Sequence, residues 1–148
     1  MGVFLLWQIG RCFYMVACIS CTTPPVKTYN YSGSMDQLEN GFKNFSIENS
    51  NINCEISHRG SSRIAARDVE IKMRMNNSDI VCNLVIYDFN NNTKLDIEEI
   101  HDTTHKTGGN DADDKNVENL LIEFNKHYLI KFQKDQNVQL KKPFLNFF

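Results

Sequence analysis

Apolar residues recur along the chain at three different spacings, and each spacing predicts a different element. Residues 3–21, VFLLWQIGRCFYMVACISC, form a nearly continuous apolar run. From residue 35 the spacing becomes three and four: Met35, Leu38, Phe42 and Phe45 make one stripe, as in a helix lying on a core. Ser34 opens that helix. In SMDQ its hydroxyl can accept from the N–H three residues on while Gln37 reaches back, which is a capping box. Gly41 inside the stripe costs about 1 kcal/mol relative to alanine. The stripe is expected to pack on a sheet rather than to form a partner groove.

The period then falls to two. NINCEIS alternates through Ile52, Cys54 and Ile56, and a polar loop, HRGSS, follows. DVEIKMRM sets Val69, Ile71, Met73 and Met75 against Glu70, Lys72 and Arg74, the pattern of a sheet covered on one face and wet on the other. After an NNSD turn, IVCNLVIYDF is apolar on both faces and predicts a central strand, with TKLDIEEI beyond an Asn-rich turn as an edge-like strand. Val117, Leu120, Leu121, Phe124, Tyr128 and Phe132 return to helical spacing behind Asp113 and Asp114, whose charge favours a helix N-terminus. A helix is expected over 115–132. The competing reading is a hairpin through HYLIKFQKDQNVQLKKPF, because Ile130 and Phe132 alternate with Lys131 and Pro143 stops any helix. The apolar tail PFLNFF is expected to dock on the body. Together these elements predict a two-layer α+β domain over 34–148, an antiparallel meander of three or four strands packed by an N-terminal and a C-terminal helix.

The leading run bears on location. Gln8, Gly10 and Arg11 interrupt it, and an arginine at the centre of a spanning helix costs about 2.5 to 3.5 kcal/mol, which argues against a permanent span. A signal peptide over 1–20 fits better: an n-region ends at Arg11, CFYMVACI is a short apolar h-region, and Ser20 is the small residue before cleavage. The motif CISC and its apolar lead resemble the lipobox of bacterial lipoproteins, in which a small residue precedes a cysteine that is acylated and becomes the mature N-terminus. Ile19 and Ser20 match that pattern, and Cys18 stands where an aliphatic residue is usual. The resemblance implies a fatty-acyl anchor such as palmitate on Cys21. With Thr22 rather than aspartate next, it implies delivery to the outer membrane, facing the periplasm. Cys18, preceded by Val16 and Ala17, is the alternative lipidation site, although it would leave only CFYMVA as an h-region. Beyond Cys21, TTPPVKTYNYSGS shows no apolar periodicity and Pro24 and Pro25 extend the chain, so 21–33 are expected to be a flexible tether.

Length and charge narrow the partners. A chain of 148 residues is of one-domain size. Arg11 is the only charged side chain of the first twenty residues, so the rest carries 15 Lys+Arg against 18 Asp+Glu, a net charge of −3. That balance gives no electrostatic pull onto nucleic acid or an anionic bilayer. Of five cysteines, Cys12 and Cys18 leave with the signal and Cys21 takes lipid, which leaves Cys54 and Cys82 as an even pair in an oxidising compartment. A disulfide between them is expected, with two buried reduced thiols as the alternative.

Candidate chemistry is sparse. DFNNNTKLDIEE, residues 88–99, spaces Asp88, Asn90, Asn92, Asp96 and Glu99 like the oxygen donors of a calcium loop, with Leu95 in the aliphatic place. Thr93 replaces the bend glycine and the flanks read as strands, so a hairpin turn is expected. His101, Asp102, His105, Asp111, Asp113 and Asp114 lie in HDTTHKTGGNDADD, where imidazoles and carboxylates could hold zinc on a rigid scaffold. Gly108 and Gly109 loosen this stretch, and a solvated loop is expected. Gly60 to Arg63 form a polar turn with an anion-binding composition, for which an ordinary loop is the expected reading. No nucleophile elbow or phosphate-binding glycine pattern occurs. The resulting expectation is a lipid-anchored envelope protein that binds another protein, as an assembly factor, inhibitor or immunity-type binder, without catalysis, metal or cofactor. The acidic 101–114 loop is its expected contact with a basic partner. Sequons at Asn30, Asn44, Asn76 and Asn91 keep a second reading open, a secreted eukaryotic or viral glycoprotein with a receptor-binding role. A third is a metal-dependent hydrolase using His101, His105 and the nearby aspartates.

Overall fold

The computed structural model describes residues 24–59, 68–76 and 78–142. The signal segment, Cys21 and the start of the tether, the 60–63 turn and the PFLNFF tail lie outside them. The fold is α+β. Strands β1 (Lys27–Tyr31), β2 (Ile52–Arg59), β3 (Asp68–Met75), β4 (Ile80–Phe89), β5 (Asn92–Asp102), β6 (Thr107–Gly109) and β7 (Leu140–Lys141) form one antiparallel sheet. Its order is β2-β3-β4-β5-β1-β7, and β6 joins β5 beyond β1. Helix α1 (Met35–Glu48) follows β1, while α2 (Lys115–Phe124), a π-helical turn (Asn125–Leu129) and α3 (Ile130–Asp135) run on from one another before β7.

Strands β2, β3, β4 and β5 lie side by side in chain order, in a sheet of seven strands rather than the three or four expected. Two expectations need correction. TKLDIEEI is not an edge, because β5 pairs with β4 on one side and with β1 and β6 on the other. The second half of the expected tether is strand β1. Val26 and Tyr29 are buried, and the Tyr29 hydroxyl donates to Asn125 Oδ1 at 2.9 Å. The alternation in KTYNY therefore has a core side, with Tyr29 opposite Leu95 in the register.

Helix α1 forms as its stripe predicts. Ser34 Oγ accepts from the Gln37 N–H and Gln37 Oε1 accepts from the Ser34 N–H, so both halves of the capping box are made. Met35, Leu38, Phe42 and Phe45 are buried. Phe132 of α3 stacks on Phe42 with ring centroids 4.2 Å apart and meets Phe45 edge-on at 5.4 Å. Such aromatic pairs contribute about 0.5 to 1.5 kcal/mol each beyond area burial. Gly41 has a use here, since the Phe132 ring lies where its Cβ would make contact at 3.4 Å.

The C-terminal helical stretch runs past 132 to Asp135, and the competing hairpin contributes only the two residues of β7. The π turn explains a mismatch with the expected stripe. It replaces a four-residue step with the five-residue step from Phe124 to Leu129, after which Leu129 and Phe132 are buried. Tyr128 is left half-buried, its hydroxyl 2.9 Å from Ser78 Oγ.

On β2, Ser46 of α1 closes part of the free edge. Its hydroxyl donates to the Ile52 carbonyl at 3.1 Å and accepts from the Cys54 N–H at 3.2 Å.

The register also decides the cysteine question. Cys54 lies opposite Met73, and Met73 opposite Cys82. The two thiols share the core face but stand two strands apart, about 9 to 10 Å between Cα atoms at ordinary strand spacing, beyond the roughly 7 Å limit of a disulfide. Both are free, and the expected bridge is corrected to a half-buried thiol at Cys54 and a buried one at Cys82. Burial pushes the Cys54 thiol up to about 11, against the lowering effect of its hydrogen bond with Ser46. Burial raises Cys82 further, with the negative charge of Glu99 adding to the effect. Both shifts disfavour the thiolate, which is the nucleophilic form. Denaturing the unreduced protein in iodoacetamide is expected to alkylate both cysteines, as read by peptide mass; a linked Cys54–Cys82 peptide would refute this register.

Candidate functional site on the open sheet face

Helices cover one face of the sheet, with α1 against β2 and β4 and α2 against β5 and β6. The opposite face is organised as rungs of side chains that follow the register. One rung runs Glu55, Lys72, Asn83, Glu99; the next runs Ser57, Glu70, Val85, Asp96, Thr28; a third contains Asp68, Tyr87, Lys94 and Asn30. A depression of about 350 Å³ lies across the first two.

Its floor is shaped by an irregularity in β5. Asn83 pairs with Glu99 but the next residue, Leu84, pairs with Ile97, so Glu98 is an extra residue. This bulge keeps Ile97 and Ile100 both buried and turns Glu98 and Glu99 into the depression. The Glu99 carboxylate accepts from the Asn83 amide and sits 3.0 Å from His101 Nε2. Its pKa lies below the usual carboxyl value, chiefly through the bond to His101, with burial opposing and Asn83 and Lys72 assisting. Nearby, Arg74 lies 3.6 Å from Glu55.

The most buried polar side chain described on this face is Asp96. It is only 8% exposed although it faces away from the helices. Its Oδ2 accepts from the Tyr87 hydroxyl at 2.9 Å, while Oδ1 is buried and has no protein partner among the described residues. An unsatisfied buried polar atom costs about 1 to 3 kcal/mol, more when charged. Asp68, opposite Tyr87, is also buried. The Tyr87 phenol is pushed well above its usual value by burial first and then by Asp96 and Asp68. Two carboxylates therefore lie beside the half-buried Tyr87 side chain, with Lys94 opposite it on β5.

The expected partner loop is ordered and mostly self-occupied. His101 and Asp102 end β5, residues 103–106 turn, and β6 returns along β5. His101 faces Glu99, whereas Asp102 Oδ1 accepts from the N–H groups of Thr104 and His105. Asp111 accepts from the Asp113 N–H, and Asp114 caps α2 by accepting from the Asn116 N–H at 2.6 Å. Gly108 holds φ at +107°, with the Ile100 carbonyl where a Cβ would go. Asp113 is exposed. His101 and His105 thus have separate carboxylate partners, and among the described residues no three His, Cys, Asp or Glu side chains are grouped to hold a metal.

The calcium-like spacing is a hairpin. Asn90 and Asn91 have φ of +51° and +61° between the paired residues Phe89 and Asn92, which is the two-residue turn that suits asparagine. Asp88 accepts from the Thr93 hydroxyl at 2.8 Å. A further charged cluster lies at the other end of β2, where buried Glu39 meets Lys43 Nζ at 2.6 Å and His58 Nε2 at 3.0 Å.

Sequence reasoning missed the Asp68, Tyr87 and Asp96 grouping, because an acid in an outward strand position reads as solvated. The bulge did leave a trace: Leu95 and Ile97 keep period two, and the next core residue is Ile100. Among the described residues no helix is long and apolar enough to cross a membrane. The chain matches no protein-family model, no curated protein and no solved structure.

The turn gives a pH test. His105 Nδ1 lies 2.7 Å from Asp102 Oδ2, and this hydrogen bond, followed by the charges of Asp102 and Asp79, holds the imidazole above its usual 6.5. Its small, solvent-screened contribution to stability is present below pH 6.5 and lost as pH rises through the raised folded value. NMR titration is expected to place His105 above 6.5 in the native chain and back near it in Asp102→Asn. An unchanged midpoint in the variant would dissolve the pair.

Proposed function

We propose that this chain is a small envelope lipoprotein, anchored through Cys21, whose domain binds another protein and carries out no reaction. The observation that carries this reading is the one-sided covering of the sheet. Helices bury one face, and the other offers a polar depression with no nucleophile and base in catalytic arrangement among the described residues. The contact surface we assign is this face, entered at one end by His101, rather than the whole 101–114 loop. Among the side chains described there, acidic ones exceed basic ones: Glu55, Asp68, Glu70, Asp96, Glu98 and Glu99 against Lys72, Arg74 and Lys94. That balance suits a basic protein partner and an assembly, inhibitory or immunity-type role.

One observation favours the second reading, a secreted glycoprotein with a receptor-binding role. Asn44, Asn76 and Asn91 are all exposed. Intact mass of the native mature protein separates the two. We expect a chain beginning at Cys21 with acyl mass and no hexose; glycan increments on an unacylated chain would replace the lipoprotein reading.

The binding surface has its own measurement. A photo-crosslinking residue at Lys72, on the open face, is expected to give a protein adduct in native cells, and one at exposed Ile122, on α2, is not. Adducts from Ile122 alone would move the interface to the helices.

A further inference from the structure

The outer side of the helical layer carries a pattern that the packing of the domain does not use. In the C-terminal helical stretch Val117, Phe124, Leu129 and Phe132 are buried in the core. On the opposite side every fourth residue forms an exposed row, Ile122, Lys126, Ile130 and Lys134. Residues four apart wind about 40° per step round an α-helix. The wider π turn, Asn125–Leu129, takes up part of that drift and keeps the row on one side. Ile122 is 56% exposed and Ile130 60%. Helix α1 packs beside α3 on the same side of the sheet and adds Ile47, 81% exposed. Single apolar residues are common on protein surfaces, but here they alternate with ammonium groups at a fixed step.

Charge is unevenly laid out, although the overall balance is slightly acidic. Residues 115–142 carry six lysines against three acids. Two of those acids are engaged: Glu123 lies 3.3 Å from His127 Nε2, and Asp135 lies 2.7 Å from Lys131 Nζ. Lys126 and Lys134 make no ion pair among the described residues. The start of β1 limits how far this domain can stand from an anchor. Val26 is buried and its N–H donates to the Ile97 carbonyl. Cys21 is five residue steps before it, a span of about 18 Å at most. An acyl chain on Cys21 therefore holds the domain close enough for one face to rest on the bilayer.

We propose that the outer side of the helical layer rests on the anionic phospholipid bilayer that holds the Cys21 anchor, with Ile47, Ile122 and Ile130 entering the headgroup region and Lys126 and Lys134 meeting lipid phosphates. This rests on the lipoprotein reading above and gives the domain an orientation. Lysines interleaved with apolar side chains suit that boundary, because the lysine stem lies among apolar groups while its ammonium reaches a phosphate, and each cation near an anionic surface adds to the attraction. The same orientation turns the polar sheet face, where the described side chains are mostly acidic, away from lipid and towards the protein partner.

The test reconstitutes the native acylated chain in vesicles of phosphatidylethanolamine and phosphatidylglycerol, and in parallel of phosphatidylcholine alone, each with and without a nitroxide-labelled phospholipid. A dansyl amino acid replaces Ile130 in one preparation and Lys72 in another. In the anionic vesicles the probe at 130 is expected to emit further to the blue and to be quenched at least twofold more than the probe at 72, and to lose most of that quenching in phosphatidylcholine. Lys126→Glu and Lys134→Glu should each at least halve the quenching at 130, whereas Lys106→Glu, at an exposed position in the turn after β5, should leave it unchanged. The proposal is overturned by equal or greater quenching at 72, by the same quenching at 130 in phosphatidylcholine, by an equal loss in Lys106→Glu, or by no loss in the Lys126 and Lys134 variants. A blue shift at 130 without quenching also overturns it, since that marks a protein cover such as a second copy. The two readings fail separately. An acylated chain whose probe at 130 stays unquenched retains the lipoprotein reading and removes this orientation, while a native chain without acyl mass on Cys21 removes the lipoprotein reading itself.

Discussion

Strand β5 carries neighbours along both edges, and the rest of the sheet depends on how it does so. Its first half holds β1 and its end holds β6, while its whole length lies on β4. Leu95, Ile97 and Ile100 are fully buried. A strict two-residue period could not bury both Ile97 and Ile100, because a single-residue shift sends every side chain to the opposite face. The extra residue at Glu98 resolves that conflict. It keeps the apolar set inward on both sides of the bulge and places two adjacent carboxylates outward, so packing and surface chemistry come from the same local event.

The helical layer supplies the complementary constraint. Phe132 joins α1 to α3 through Phe42 and Phe45, and the π turn sets its phase. With the helices gathered on one side, the outward face of β2 to β5 needs no core residues and can be polar. Val85, Asp68 and Asp96 are the exceptions, being buried on that face. A buried polar atom without a partner lowers stability, and such departures from good packing are a common mark of surfaces kept for use.

Much of the fold was legible because burial and period coincide. The capping box at Ser34, the α1 stripe, the β3 alternation and the two-faced β4 all follow from single-element patterns. What escaped was set by contacts distant in sequence. Lys27–Tyr31 resembled a tether until Tyr29 found Asn125, and Leu129 reached the core only through a five-residue step. The cysteines were legible as inward-facing but not as separated, since their distance depends on Met73 lying between them. For the same reason the 101–114 segment read as a display loop: its acids are polar by composition, but Asp102, Asp111 and Asp114 are committed to backbone N–H groups. Asp96 illustrates the limit most clearly, because its neighbours on the rung come from β4 and β1.

The hydroxyl of Ser46 has a consequence for crowding. Free sheet margins invite like margins to join, all the more where copies meet often. At the Ile52–Cys54 end of β2 a neighbouring copy would find its carbonyl and amide already engaged by a helix side chain. Lateral growth of the sheet is blocked there by a single oxygen atom, without a proline or a charged residue in the strand at that point.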